Sequence, residues 1–197
     1  LHSGARAQAV RLARRTVAAF TRAGVDTVVV NAAGCGACVK DYAELLADDP
    51  AWARRAAALR FVDVAEYLAE LGPVAPRHPL PLTIAYHDAC HLAHAQGVRR
   101  QPRRLLAGIP GLRVTEIAES SVCCGSAGTY NLFQPDAARE LGDRKAAQVL
   151  ATGADLLVSA NPGCTLQIAA AARRAGYALT VAHTVEVLDA SLRGVSR

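Results

Sequence analysis

The sequence predicts an α/β protein built on parallel sheets, and three observations carry that prediction. Apolar, β-branched runs of strand length alternate with longer segments of helical period. One segment pattern occurs twice along the chain. A proline-rich stretch separates two such series. Strands alternating with helices favour parallel sheets joined by right-handed crossovers.

Each element has a local reason. Residues 5–23 read as an amphipathic helix with arginines on one face, ended by Gly24. Residues 26–31 are a β-branched run bounded by Gly24 and Gly34, the pattern of a buried strand. Residues 36–47 read as helical, a second helix follows Pro50, and residues 62–71 read as a third. Residues 72–81 hold four prolines and a glycine and read as a linker. The pattern then restarts. Residues 82–86 are a strand, 89–96 and 102–108 are helical, and 112–117 are a strand. Pro135 suits the first turn of a long helix reaching Ala151. Residues 155–159 are a strand, 165–175 a helix, 179–182 a strand and 185–192 a last helix.

The repeat joins the two series. Gly24-Val25-Asp26-Thr27-Val28-Val29-Val30-Asn31-Ala32-Ala33-Gly34-Cys35 matches Gly153-Ala154-Asp155-Leu156-Leu157-Val158-Ser159-Ala160-Asn161-Pro162-Gly163-Cys164 at a constant offset of 129. A long helix precedes each copy. The expected organisation is two Rossmann-like units. Residues 1–72 are the C-terminal part of a first unit truncated at its N-terminal side. Residues 73–81 are the linker, and 82–197 a complete second unit. The chain contains no methionine, so Leu1 is not expected to be an initiator.

Composition excludes several classes. Hydrophobic residues at 52% and charged residues at 20% are globular proportions, not those of a disordered chain. No apolar run reaches the length of a membrane span, and the N-terminus lacks the apolar centre of a secretory signal. The net charge of +5 comes almost wholly from arginine, with Arg99-Arg100-Gln101-Pro102-Arg103-Arg104 the only local cluster. Aromatics at 5% leave little for base stacking, so no nucleic-acid partner is expected. Six cysteines are too sparse for a disulfide scaffold, which points to reduced thiols in a cytoplasmic protein.

The cysteines carry the chemistry. Cys90, the adjacent pair Cys123-Cys124, and Cys164 each follow the carboxyl end of an expected strand. In a parallel sheet those ends share one edge, where ligands bind, so four distant thiols converge. Four thiolates together need a cation, either zinc or an iron–sulfur cluster. Gaps of 32 and 39 residues around a vicinal pair are unlike the short spacings of zinc knuckles. Gly125-Ser126-Ala127-Gly128 permits a tight turn with inward N–H groups. Helices starting near Cys90 and Cys164 would turn their positive ends toward an anionic cluster. Both metals remain open on these grounds, with iron–sulfur favoured. His87, His91 and His94 would share a face if the segment were helical, and Asp88 reads as a helix N-cap.

Three segments, taken together, are similar to a known family. They are His87-Asp88-Ala89-Cys90-His91-Leu92, Ser121-Val122-Cys123-Cys124-Gly125-Ser126-Ala127-Gly128-Thr129-Tyr130 and Asn161-Pro162-Gly163-Cys164. They resemble the cysteine-rich CCG domain, found in duplicate in heterodisulfide reductase and in iron–sulfur subunits of glycolate and lactate oxidation. The Cys-Cys-Gly-Ser-Ala-Gly-Thr-Tyr wording resembles the glycolate oxidase (glycolate dehydrogenase) type most. Leu1-His2-Ser3-Gly4 looks like the segment just after a first Cys-Cys-Gly. The sequence departs from the full pattern at Gln167, where a Cys-x-x-Cys would place its second thiol.

The resemblance implies an electron-transfer subunit of a glycolate-oxidising complex. It relays electrons from a flavin subunit, where FAD is expected, toward a quinone-type acceptor. A 4Fe-4S cluster on Cys90, Cys123, Cys124 and Cys164 is implied, with Cys35 and Cys38 as weaker candidates and no catalytic acid or base. Upstream ferredoxin-type domains and a third subunit are further implied partners, and the inner face of the cell membrane an implied peripheral location. The alternatives are a heterodisulfide reductase B-like or lactate utilisation protein and, from another class, a zinc-stabilised binding module.

Overall fold

The computed structural model describes residues 3–195. Leu1 and His2, part of the Leu1-His2-Ser3-Gly4 reading, and the last two residues of the second expected unit lie outside the described residues.

The chain forms two parallel sheets in an α/β arrangement. Helix α1 (Arg6–Arg22) leads into strand β1 (Thr27–Val30). Helices α2 (Ala33–Lys40), α3 (Tyr42–Leu45) and α4 (Pro50–Ala57) follow. Asp49 caps α4 by accepting from the Ala51 and Trp52 N–H groups, and Pro50 occupies the first turn. Strand β2 (Arg60–Asp63) lies parallel to β1, from Thr27 opposite Arg60 to Val30 opposite Asp63. Helix α5 (Val64–Leu71) closes this part, started by a capping box in which Asp63 and Glu66 satisfy each other's turn. Ala13, Val17, Leu45, Leu46, Ala56, Leu59 and Phe61 form its core.

The second sheet runs in the order β4-β3-β5-β6, from β3 (Thr83–His87), β4 (Arg113–Glu116), β5 (Leu156–Ser159) and β6 (Val181–His183). All three pairings are parallel. Helices α6 (Arg100–Ala107), α7 (Tyr130–Phe133), α8 (Pro135–Leu150) and α9 (Pro162–Arg174) lie in the crossovers, and α10 (Thr184–Arg193) follows the last strand. Both faces are covered, as parallel sheets require. Ala85 and Leu157 face one core with Ile168, Ala171 and Val149. Ile84, Tyr86, Leu156 and Val158 face the other with Leu106 and Leu188. Ala65 and Ala69 of α5 join that second core, so α5 packs on the second sheet.

The structure corrects the sequence reading at two elements. Strand β1 is not buried: Thr27, Val28 and Val30 are half-buried and Val29 is exposed, because among the described residues β2 alone pairs with it. Residues 62–71 are not one helix: Arg60–Asp63 is a strand, and the helix begins at Val64. Four residues are too short a run for period to decide, and Asp63 both ends the strand and caps the helix. The proline-rich segment is pinned to α10 and to the loop between α6 and β4. His78 N–H donates to the Ser191 carbonyl and Ser191 Oγ to the His78 carbonyl, while Leu80 N–H donates to Pro110.

The repeat extends further than its sequence shows. Asp63 and His183 sit at matching places, each ending a strand and starting a helix with a glutamate-closed capping box. Strand β5 has neighbours on both sides, whereas β1 pairs with β2 alone among the described residues.

Candidate metal centre

The carboxyl ends of β3 and β5 meet at one edge, and the cysteines follow from that. Cys90 lies three residues beyond the end of β3, before a π-helical turn at His91–Ala95. Cys164 lies in the first turn of α9, which Pro162 opens directly after β5. Cys123 and Cys124 sit in the loop between β4 and α7. That loop presses on α8. Gly125 has φ of +87°, and a Cβ there would lie 2.5 Å from the Ala138 carbonyl oxygen. Only glycine supplies both the positive φ and the close approach.

All six cysteines line one cavity of about 700 Å³. Cys90, Cys123, Cys124 and Cys164 line it together with His91, Ser126 and Asn161. Cys35 and Cys38 of α2 border it together with Phe20, Val28, Val30, Tyr42 and Phe61. None of the six is in a disulfide. Cys124 and Cys164 are buried, and Cys35 is exposed.

The junction between the two sheets explains why the thiols share a space. Ala33 N–H donates to the Ala160 carbonyl, and Gln96 Nε2 donates to the Ala33 carbonyl. Asn161 stands at the N-cap of α9 without capping it locally. Its Oδ1 instead accepts from Gly34 N–H at 3.2 Å, and its Nδ2 donates to Cys164 Sγ at 3.3 Å. One side chain thereby ties the start of α2 to a cysteine of the other sheet.

The thiols are close enough to share protons. Cys123 is driven far below its ordinary pKa, first by the Cys124 thiol, then by Cys90, with help from Gly125 N–H at 3.3 Å. Cys164 is held down to about 5, first by the Cys124 thiol and also by His87 and Asn161, against the opposing cost of burial. Cys90 and Cys124 are pushed up, foremost by Cys123. Deprotonating all four would crowd negative charge, which a bound cation would offset. Away from this set, burial pushes Cys38 up.

His87 belongs here more closely than sequence spacing suggests. It ends β3, so it does not share a helical face with His91 and His94. It is buried, and neither ring nitrogen makes a well-formed hydrogen bond. A ring nitrogen of His87 and the sulfurs of Cys124 and Cys164 all lie within 4.8 Å of one another. His94 instead contacts Arg99, and His91 Nδ1 lies 3.6 Å from Cys90 Sγ. A thiol-rich donor set with a buried imidazole is the chemistry of a zinc or iron–sulfur site, so the residues fit a metal.

Three outer residues have partners that the sequence does not show, and one of them departs from expectation. Asp88 does not cap a helix. Both its oxygens accept from Arg103, at 2.9 and 2.7 Å. Arg103 also holds Glu116 and lies 4.9 Å over the Tyr86 ring. Arg103 of the arginine cluster is therefore held within the fold beside the segment that leads to Cys90. Gln167 turns aside from the cavity and donates to the Ala138 carbonyl at 2.9 Å.

The cysteine-rich domain pattern of the CCG family matches residues 1–40 and 84–169, more than half of the chain. The chain belongs to the cysteine-rich CCG family. The CCG match spans every one of the six cysteines. Among curated proteins, the chain is 40% identical to the probable glycolate oxidase iron-sulfur subunit of Bacillus subtilis, across 89% of the chain and 40% of that protein. It is 34% identical to the glycolate oxidase iron-sulfur subunit of Escherichia coli, across 97% of the chain and 47% of that protein. It is 30% identical to lactate utilization protein A of Shouchella clausii, across 95% of the chain and 79% of that protein. The CCG chain thus spans less than half the length of the two glycolate oxidase relatives.

Proposed function

We propose that this CCG chain is the cluster-bearing part of an iron–sulfur electron-transfer subunit in a glycolate-oxidising complex. The observation that carries the reading is the convergence of Cys90, Cys123, Cys124 and Cys164 on one cavity. These four hold a 4Fe-4S cluster, with Cys35 and Cys38 bordering the same space. Such a cluster, when bound, takes up and returns one electron. The chain's own groups prepare for that charge. Gly125 N–H and the Asn161 amide donate to sulfur, and the buried walls at Cys124 and Cys164 exclude water. No acid or base here acts on a substrate. FAD sits on a partner subunit that oxidises the 2-hydroxy acid, and a quinone-type acceptor takes the electrons onward.

The surrounding organisation is part of the proposal. Residues 1–72 are the C-terminal part of a first CCG unit and 82–197 a second, joined by 73–81, with ferredoxin-type domains upstream in the parent chain and a third subunit in the complex. The complex is cytoplasmic and peripheral at the inner membrane face. No helix among the described residues is long and apolar enough to cross a membrane. Gln167, bonded to Ala138, offers no fifth thiolate, which favours this reading over a heterodisulfide reductase B-like protein.

One observation favours a second reading. His87, Cys124 and Cys164 form a compact trio, which with one more thiolate would suit tetrahedral zinc. Metal analysis separates the two. Anaerobically purified chain is expected to be brown, with about four iron and four acid-labile sulfide and a cluster EPR signal on reduction. Cys124→Ser is expected to abolish it and Cys38→Ser to retain it. One tightly bound zinc without sulfide, or iron retained in Cys124→Ser, overturns the reading.

A further inference from the structure

Lys145 is a buried cation behind the cysteine site. It lies on α8 and is 1% exposed. Ala138, Gly142, Lys145 and Val149 form a buried stripe along that helix. The stripe is the wall behind the Cys123–Gly125 turn. Gly125 abuts the backbone of Ala138, and a Cβ on Gly142 would lie 3.6 Å from the Cys124 carbonyl oxygen. Lys145 comes one turn further along.

Its hydrogen bonding leaves its charge without a bonded carboxylate. Lys145 Nζ donates to the Glu119 backbone carbonyl at 2.6 Å. The Glu119 carboxylate is taken by Arg144 and Gln148. Glu119 is the one non-glycine residue with positive φ among the described residues, so Lys145 also fixes a strained corner four residues before Cys123. Burial lowers the pKa of the ammonium. The neighbouring Cys124, Glu119 and Cys123 oppose that.

We propose that Lys145 is the fixed counter-charge of the cysteine site and raises the reduction potential of the group held there. The proposal rests on the iron–sulfur reading. Each one-electron reduction adds one negative charge to the group, the electron coming from the reductant. A buried positive charge stabilises the reduced form more than the oxidised form, because the low-dielectric wall screens it little. Lys145 acts through the thiolates and is a positioning and electrostatic residue, not a catalytic one.

The experiment is a dithionite titration of the anaerobic protein followed by EPR, with iron content and a thermal melt on each sample. Lys145→Gln keeps a donor for the Glu119 carbonyl and removes the charge. Lys145→Met keeps the apolar stem alone, and Lys145→Arg keeps the charge. The expected result is iron retained in Lys145→Gln, with a potential more negative than that of the wild type. Lys145→Arg should stay closer to wild type than Lys145→Gln. If Lys145→Met does not fold, Lys145→Gln still decides. A Lys145→Gln potential equal to that of the wild type overturns the proposal and leaves Lys145 a structural strut. A wild-type chain without iron is visible before any variant is made and overturns the underlying reading instead.

Discussion

Replacing Gly125 with alanine tests whether the Cys123-Cys124 loop is clamped against α8. The new Cβ would lie 2.5 Å from the Ala138 carbonyl oxygen and 3.0 Å from its Cα. These are backbone atoms of a 16-residue helix, so they cannot swing aside as a side-chain tip would. The left-handed backbone at φ +87° costs an L-residue about 1–2 kcal/mol, and overpacking adds about 1–3 kcal/mol. The sum, about 2–5 kcal/mol, is a large share of the 5–15 kcal/mol or so that holds a domain together. At about 2–4 °C per kcal/mol for a chain of this size, the midpoint falls by roughly 4–20 °C. Gly153→Ala separates the two contributions. Gly153 has φ of +63° with no neighbour within 4 Å, so its substitution costs about 1–2 kcal/mol from the backbone alone. Urea unfolding and bound iron are measured on both variants. Gly125→Ala should be the less stable and should lose iron, because the displaced loop carries two thiols. Equal stability of the two variants would refute the clamp.

Two further outcomes follow from charge burial. Arg103→Met strands Asp88, whose side chain is only 11% exposed, and should cost roughly 2–3 kcal/mol in urea unfolding, between surface and buried ion pairs. Glu116→Gln, at a carboxylate 57% exposed, should cost under about 1 kcal/mol, and a similar loss in both variants would show that Asp88 does not matter. Asp63 is pushed up to about 6, chiefly by burial and also by Glu66, with Ala65 N–H and Lys40 opposing. A carboxyl raised in the fold contributes stability that is complete below about pH 4 and lost as pH rises through about 6. Asp63→Asn keeps a cap and should flatten that slope in thermal melts between pH 4 and 8. An unchanged slope would mean that Asp63 is not its source.

Much of the site was legible because thiols are rare and strands end in recognisable places. Cys90, Cys123, Cys124 and Cys164 each follow a strand whose apolar run is visible in the chain, and parallel pairing puts those ends together. His87 was misplaced because a histidine beside a short apolar strand fits helical spacing equally well. Asn161 gave a weak signal. Asn before Pro reads as an ordinary N-cap, and its partners Gly34 and Cys164 are fixed by a junction that no local pattern encodes. Strand β2 was hidden because its four residues run straight into the helix that Asp63 caps.

The sequence by itself determined the parallel α/β class, the repeat and the placement of Cys90, Cys123, Cys124 and Cys164 after strand ends, because these depend on local period and on residue type. Only the tertiary structure decided that Cys35 and Cys38 border the same cavity as the other four, that Arg103 braces the strand end before Cys90, and that Lys145 backs the cysteine loop. Those outcomes depend on how α2 meets β5 and how α8 lies on the Cys123–Gly125 turn. Contacts between segments far apart in sequence leave no periodic trace within either one.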